Sequence, residues 1–230
     1  TQTVGYEIVD SLKKVKHDHL MLSLDKTKSC QDLLNFAEDR EVALSMKLDG
    51  LTMSVKYENG KLVSAETRGN GVEGTDVLNN AKVMKNLPLT IDSKETLVID
   101  GECIILSDDF ERVYAELPDG EQYATQRNLA SGSLSLLDNK ITSQRGLQFW
   151  AWSLIEGTTG SFRKDMNKLQ SLGFTIVPYN YFNGNNVDLY GIEDLTIKLK
   201  QTADKKGIPV DGCVITYDDI AYGLSLGNTG

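Results

Sequence analysis

Cysteine, histidine and positive charge are all scarce in this chain of 230 residues. The three cysteines, Cys30, Cys103 and Cys213, form an odd set without metal-ligand spacing. That excludes a disulfide framework and a zinc motif, and reads as reduced, buried thiols in a cytoplasmic protein. His17 and His19 are too few and too local to make a metal site, and are read as loop or helix residues. With 24 Lys and Arg against 33 Asp and Glu, the net charge of −9 argues against DNA binding by this chain alone, because a non-specific DNA binder carries a basic face. No apolar run approaches the roughly 18 residues that span a bilayer, no signal-peptide pattern opens the chain, and there is no internal repeat or low-complexity tract. What is present is enough apolar material, 40% of residues, to bury a sizeable core.

The order of elements predicts an α+β fold with antiparallel hairpins. The opening 40 residues read as a helical lead-in, with an amphipathic run at 6–15 and a second helix at 31–40 introduced by the capping pair Ser29 and Asp32. Strands dominate from 42 to 105, interrupted by a helix at 75–84, and Pro88 ends that connection. Further helices are predicted at 108–116, 127–137, 162–172 and 192–206, with strands at 147–154, 174–181 and 210–217. Pro118-Asp119-Gly120 is a polar turn and Asn183-Gly184-Asn185-Asn186 an exposed loop.

The chemistry concentrates between Lys47 and Asp76. Lys47-Leu48-Asp49-Gly50 leads into a hairpin whose Asn59-Gly60 pair is the strongest two-residue turn signal. The hairpin runs into Thr67-Arg68-Gly69-Asn70-Gly71-Val72-Glu73-Gly74-Thr75-Asp76. A lysine attacks only when unprotonated, so a nucleophilic lysine needs burial or a neighbouring cation, and Arg68 is a candidate for the cation. Glycines 69, 71 and 74 predict a loop whose backbone N–H groups approach an anion. A Lys-x-Asp-Gly tetrad alone arises by chance in roughly 5% of chains this long.

The longer string is far more specific. Lys47-Leu48-Asp49-Gly50, Tyr57-Glu58-Asn59-Gly60 and Thr67-Arg68-Gly69-Asn70-Gly71, in that order and spacing, closely resemble the adenylation domain of NAD-dependent DNA ligases. Four further segments extend the resemblance over nearly the whole chain: Met21-Leu22-Ser23-Leu24-Asp25, Asp100-Gly101-Glu102, Gln126 to Leu134 with its Arg127-Asn128 and Gly132-Ser133-Leu134, and Asp211-Gly212-Cys213-Val214-Ile215. The fold it implies is an antiparallel-sheet nucleotidyltransferase fold, ATP-grasp-like, with residues 41–230 as the domain proper.

The implied activity is a three-step one. Lys47 attacks NAD and holds AMP as a phosphoramidate, the AMP passes to the 5′-phosphate of nicked double-stranded DNA, and the 3′-hydroxyl displaces it to seal the strand. Cations and Mg²⁺ stabilise the charge that moves in each displacement. By matched position, Ser23 and Leu24 line the adenine-ribose pocket, Arg68 contacts the ribose or a nearby phosphate, and Glu102 holds the ribose hydroxyl at the close of an apolar strand over 96–99. Asp49 and Asp211 help place a metal or orient the lysine, and neither is assigned as a metal ligand. Trp152 stands where the family has a tyrosine stacked on adenine, and a core tryptophan is an equal reading of the same residue.

Three departures stand out. Ser45, Thr216 and Ser135 occupy positions where the family carries a glutamate, a lysine and an arginine. Losing two cations near phosphates removes about 1.5–3 kcal/mol each in charged hydrogen bonding, unless Lys56, Lys82 or Lys85 substitutes. The chain begins at Thr1 after the family's NMN-binding domain, ends at Gly230 before its last lysine motif, and lacks the oligonucleotide-binding, zinc, helix-hairpin-helix and BRCT modules. This reads as an excised domain or one subunit of a split enzyme, monomeric, away from membranes, and gripping DNA mainly through missing ligase domains or a partner subunit. Two other readings stay open: another lysine nucleotidyltransferase, such as an ATP-dependent DNA or RNA ligase, and a non-catalytic binding module on the same fold.

Overall fold

The computed structural model describes residues 5–16, 27, 29–118 and 123–226. A short strand β1 (Lys14–Lys16) and helix α1 (Cys30–Ala37) precede three consecutive strands, β2 (Glu41–Leu48), β3 (Leu51–Glu58) and β4 (Lys61–Thr67). The next stretch holds β5 (Glu73–Thr75), the four-residue α2 (Leu78–Ala81), β6 (Leu97–Ile104), α3 (Ser107–Glu116), α4 (Gln126–Leu134), α5 (Asn139–Gln144) and β7 (Gln148–Glu156). The last third adds α6 (Phe162–Ser171), β8 (Tyr179–Asn183), α7 (Leu189–Lys206), β9 (Val210–Tyr217) and α8 (Ile220–Ser225).

Among the described residues the strands form a four-stranded sheet in the order β4-β3-β6-β7, a three-stranded sheet in the order β8-β2-β9, and the pair β1-β5. Every strand pairing is antiparallel. Strands β2 and β3 are neighbours in sequence but belong to different sheets, so the two residues joining them, Asp49 and Gly50, sit at the junction of the sheets. Lys47 lies two residues before that junction, next to last in β2.

The pattern of side chains explains the layering. Along β2, Val42, Leu44, Met46 and Leu48 enter one apolar cluster, with Ala37 of α1 and Ile192, Leu199 and Ala203 of α7. Ala43, on the opposite face, enters the other, built on Met53, Val55 and Tyr57 of β3, Leu97 and Ile99 of β6 and Phe149 of β7. Strand period two thus covers β2 on both sides, which is why its run 42–46 is buried throughout. Each fully buried Leu, Ile or Phe contributes about 1.5–3 kcal/mol. The β3–β4 hairpin closes as the Asn59-Gly60 signal requires, with φ of 49° and 78° at the two residues.

The helices at 108–116, 162–172 and 192–206 and the strands at 147–154 and 210–217 form close to their predicted bounds. Other expectations need correcting. The lead-in is helical only at Cys30–Ala37, where Ser29 caps as read, accepting from Asp32 N. In the amphipathic run at 6–15 the chain is extended. Lys14–Lys16 pairs with Glu73–Thr75, placing Lys16 opposite Glu73, and Val9 N donates to Leu137 O. The helix expected at 75–84 shrinks to four residues, its start taken by Thr75 in β5; within it the buried Asn80 side-chain amide donates to Leu134 O and Leu136 O. The strand expected at 174–181 starts only at Tyr179, after Pro178, which lacks an amide donor and instead accepts from Met46 N.

Candidate active site

The site is built where β2 leaves its sheet. Strands β2 and β9 pair Met46 with Cys213 and Lys47 with Gly212, and the register then shifts so that Leu48 faces Val210. Asp211 is the extra residue of this bulge, a feature that re-aims a side chain. It is aimed at the lysine: Lys47 Nζ donates to Asp211 Oδ1 and Oδ2 at 2.7 Å each.

Gly50 completes the turn for a steric reason. A Cβ there would stand 2.2 Å from Cys103 O and 2.8 Å from Ile104 Cγ2, so the junction packs directly on the backbone of β6. Gly50→Ala is expected to destabilise the protein by about 3 kcal/mol or more, since overpacking against rigid backbone cannot relax. A thermal melt of the variant checks this, and an unchanged midpoint would contradict the packing.

Glu102 lies in the middle of β6, not at a strand end as the sequence suggested, because β6 continues to Ile104 with ladders on both sides. Glu102 pairs with Thr52 of β3 and Trp150 of β7. Thr52 Oγ1 donates to Glu102 Oε2 at 3.2 Å. Burial pushes the Glu102 carboxyl up to about 7, against the opposing pull of the Thr52 hydroxyl, Arg127, the Gly50 N–H and Lys47. Arg127, at the start of α4, donates to Asp49 Oδ1 at 3.1 Å and so ties that helix to the junction.

Beside this group is a cleft of about 370 Å³ lined by Thr52, Arg68, Asn70, Arg127, Ser131 and Ser135 among others. Two guanidinium groups and several hydroxyls suit an anionic, hydroxyl-rich ligand. The glycine loop contributes less backbone than its sequence suggests. Asn70 N donates to Glu73 O and Gly71 N to Arg68 O, while the N–H groups of Val72 and Glu73 both go to Asn70 Oδ1. Those four amides are used inside the loop and cannot also cradle a phosphate. Gly69 is needed for the turn itself, at φ 56° with Glu73 O 2.0 Å from where a Cβ would stand.

The structure thus brings together Lys47, Asp49, Glu102 and Asp211, with Arg68 in the adjoining cleft. Trp152 is partly buried and packs with the second apolar cluster, two residues beyond the Trp150 that faces Glu102. Ser23 and Leu24 lie outside the described residues. Two of the three substitute cations are engaged elsewhere: Lys85 binds Asp109 at 2.7 Å, and Lys56 binds Glu58 at 3.0 Å, four residues along β3 from Thr52 and so about 13 Å away; Lys82 is the C-cap of α2. Arg127 and Thr52 are the site residues that sequence reasoning passed over. Arg127 stood in a quoted motif without a role, and Thr52 carries no motif signal because its contact depends on strand register.

Among the described residues no group of three or more His, Cys, Asp or Glu side chains can hold a metal ion, and the two carboxylates nearest Lys47 are each engaged by a cation. Mg²⁺ is bound through one or two carboxylates together with substrate phosphates rather than by a dedicated protein cage, so this says nothing against Mg²⁺ in the reaction. Among the same residues no helix is long and apolar enough to cross a membrane.

Comparison with known proteins places this geometry in context. The model of the family described as NAD-dependent DNA ligase adenylation domain matches residues 9–230. The DNA ligase of Ruminiclostridium cellulolyticum is 42% identical over 231 residues, covering 98% of this chain and 34% of the relative. That of Lachnoclostridium phytofermentans is 43% identical over 234 residues, covering 100% of this chain and 35% of the relative. The chain spans about a third of the length of these curated relatives. A solved archaeal ATP-dependent RNA ligase matches with a TM-score of 0.52 at 16% identity, covering 87% of this chain and 45% of that one. That likeness establishes a shared nucleotidyltransferase fold.

Proposed function

The chain belongs to the family of NAD-dependent DNA ligase adenylation domains, and from that premise we propose that it forms a covalent lysyl-AMP intermediate on Lys47 for sealing nicked DNA. What supports this reading is the position of Lys47 at the sheet junction beside a cleft holding Arg68 and Arg127; its partner at rest is the Asp211 carboxylate rather than the neighbouring cation that activation calls for. In this reading Asp211, which accepts from Lys47 Nζ, takes the proton that has to leave nitrogen. The amine then attacks the α-phosphorus of NAD: the N–P bond forms, the P–O bond to nicotinamide mononucleotide breaks, and that group departs with the bonding pair. Glu102 accepts from the ribose hydroxyls, and Arg68 and Arg127 offset the charge that builds on the phosphate oxygens. Trp152 offers a stacking face for adenine. The AMP passes next to the 5′-phosphate of nicked double-stranded DNA, which belongs to replication and repair. In this reading residues 41–230 are the nucleotidyltransferase domain, acting as a monomer with other parts of the ligase that grip the duplex.

A second reading, a nucleotide-binding module without catalysis, is supported by the short side chains at three positions. Ser45 Oγ donates to Val214 O at 3.4 Å and Ser135 Oγ to Ser131 O at 3.1 Å, so both hydroxyls are satisfied within the protein, and Thr216 brings no charge. Intact-mass spectrometry after incubation with Mg²⁺ and either NAD or ATP separates the readings. The chain is tested alone and with an NMN-binding domain added. An AMP adduct formed from NAD and not from ATP is expected. An adduct from ATP alone would assign another nucleotidyltransferase class, and no adduct in either form of the protein would favour the non-catalytic module.

A further inference from the structure

We propose that Thr52 is a positioning residue that fixes the Glu102 carboxylate from the neighbouring strand and thereby sets the lower pH limit of nucleotide binding. This rests on the reading of Glu102 as the carboxylate that accepts from the nucleotide's ribose. Thr52 and Glu102 are directly opposite one another across β3 and β6, so their side chains rise from the same face of the sheet. The hydroxyl reaches Oε2 at 3.2 Å. A threonine in a strand has little rotamer freedom, so the donor is held in place before any ligand arrives.

An ionised carboxylate has about four acceptor sites. Thr52 Oγ1 occupies one of them, which orients the group and leaves capacity for a pair of ribose hydroxyls. Thr52 also lines the cleft that holds Arg68, Arg127 and Ser131, so the donor stands between the carboxylate and the proposed phosphate side of the site.

The surroundings make this hydrogen bond consequential. Glu102 is partly buried and lifted to about 7, so its charge at neutral pH depends on a few opposing groups. Those facing it are Lys47 from β2, Arg127 from α4, the Gly50 N–H from the junction and Thr52 from β3. Asp211 and Asp49 partly neutralise the two cations. From β7 it meets Trp150, which does not ionise. On its own strand the Cys103 thiol is held well above its usual range by burial and by Glu102 itself. Removing the Thr52 donor leaves burial less opposed, so Glu102 protonates at higher pH, and a protonated carboxyl is a poorer acceptor for two hydroxyls.

The test follows Glu102 directly by ¹³C-carboxyl NMR without ligand, and measures AMP affinity by calorimetry from pH 6 to 9, in wild type, Thr52→Val, Thr52→Ser and Glu102→Gln. Wild-type affinity is expected to fall as pH drops through about 7. In Thr52→Val both the NMR titration and the affinity limb move up by about one pH unit. Its dissociation constant then exceeds that of wild type by several-fold more at pH 7 than at pH 9, and Thr52→Ser restores the wild-type curve. An unmoved Glu102 titration in Thr52→Val, or an affinity loss equal at every pH, would overturn the proposal. Glu102→Gln is expected to abolish the limb. If it binds AMP with the wild-type limb, or if wild type binds no AMP, the reading of Glu102 fails, and the NMR titration still decides whether Thr52 controls the carboxylate.

Discussion

Changing Asp211 to asparagine is expected to slow formation of the AMP adduct about a hundredfold or more while leaving the fold intact. Asparagine keeps the size of the side chain and one oxygen to accept from Lys47 Nζ. It loses the carboxylate that receives both 2.7 Å contacts and that can carry a proton. General-base assistance contributes about 10²–10⁴ in rate, and the bulge that presents Asp211 uses backbone register, which the substitution does not touch. The check is the rate of adduct formation at saturating NAD, alongside a melting curve. A rate within a few-fold of wild type would mean that Asp211 only parks the lysine between turnovers. A collapsed melting curve would make it a structural ion pair. Both side chains of the pair are partly exposed, and exposed pairs contribute about 0–1 kcal/mol, so collapse is not expected.

The second large effect is on stability, with the opposite sign. Glu102→Gln should stabilise the protein at alkaline pH while weakening nucleotide binding. The folded-state value of Glu102 is raised from an ordinary 4.5 to about 7, so between those limits the folded protein holds a proton that the unfolded chain releases. Stability from this group therefore declines as pH rises from about 4.5 to about 7, and the full penalty applies above. The gap corresponds to about 3 kcal/mol, and about 2 kcal/mol after discounting for partial contact with water. Glutamine keeps the shape and the acceptor for Thr52 without the charge. Its margin over wild type in urea midpoint should grow from pH 5 to pH 8 and then level off. A margin that is flat with pH would show that the carboxylate is well solvated and that its burial has been overstated. A gain in stability together with a loss in binding would mark Glu102 as a residue kept for function at the expense of the fold.

How much of this could be seen in the residues depends on the range of each interaction. Lys47-Leu48-Asp49-Gly50 was legible as a contiguous string, and the close approach of β6 backbone that demands Gly50 leaves its mark at one position. The Asn59-Gly60 turn was legible for the same reason. The apolar runs of β2 and β6 announced their strands directly, and the helix read over 192–206 forms close to those bounds. What was hidden depends on register between distant strands. The extra residue that aims Asp211 at Lys47 exists only once β2 and β9 are paired, and the Thr52–Glu102 contact only once β3 and β6 are. The run at 6–15 misled because an amphipathic pattern fits a short strand edge as well as a helix, and its partner, Glu73–Thr75, is far away in sequence. The glycine loop misled in the other direction. Its composition suits an anion cradle, but the Asn70 side chain takes two of its amides and the loop backbone two more.

The most direct test of the central claim is to locate the adduct. The chain, alone and with an NMN-binding domain added, is incubated with NAD and Mg²⁺, digested, and the AMP-bearing peptide is sequenced by tandem mass spectrometry, with Lys47→Arg treated in parallel. AMP on Lys47 in the wild type and no adduct in the variant is the expected result. AMP on another lysine, or an adduct that persists in Lys47→Arg, would contradict the assignment of Lys47 as the nucleophile and with it the mechanism built around Asp211.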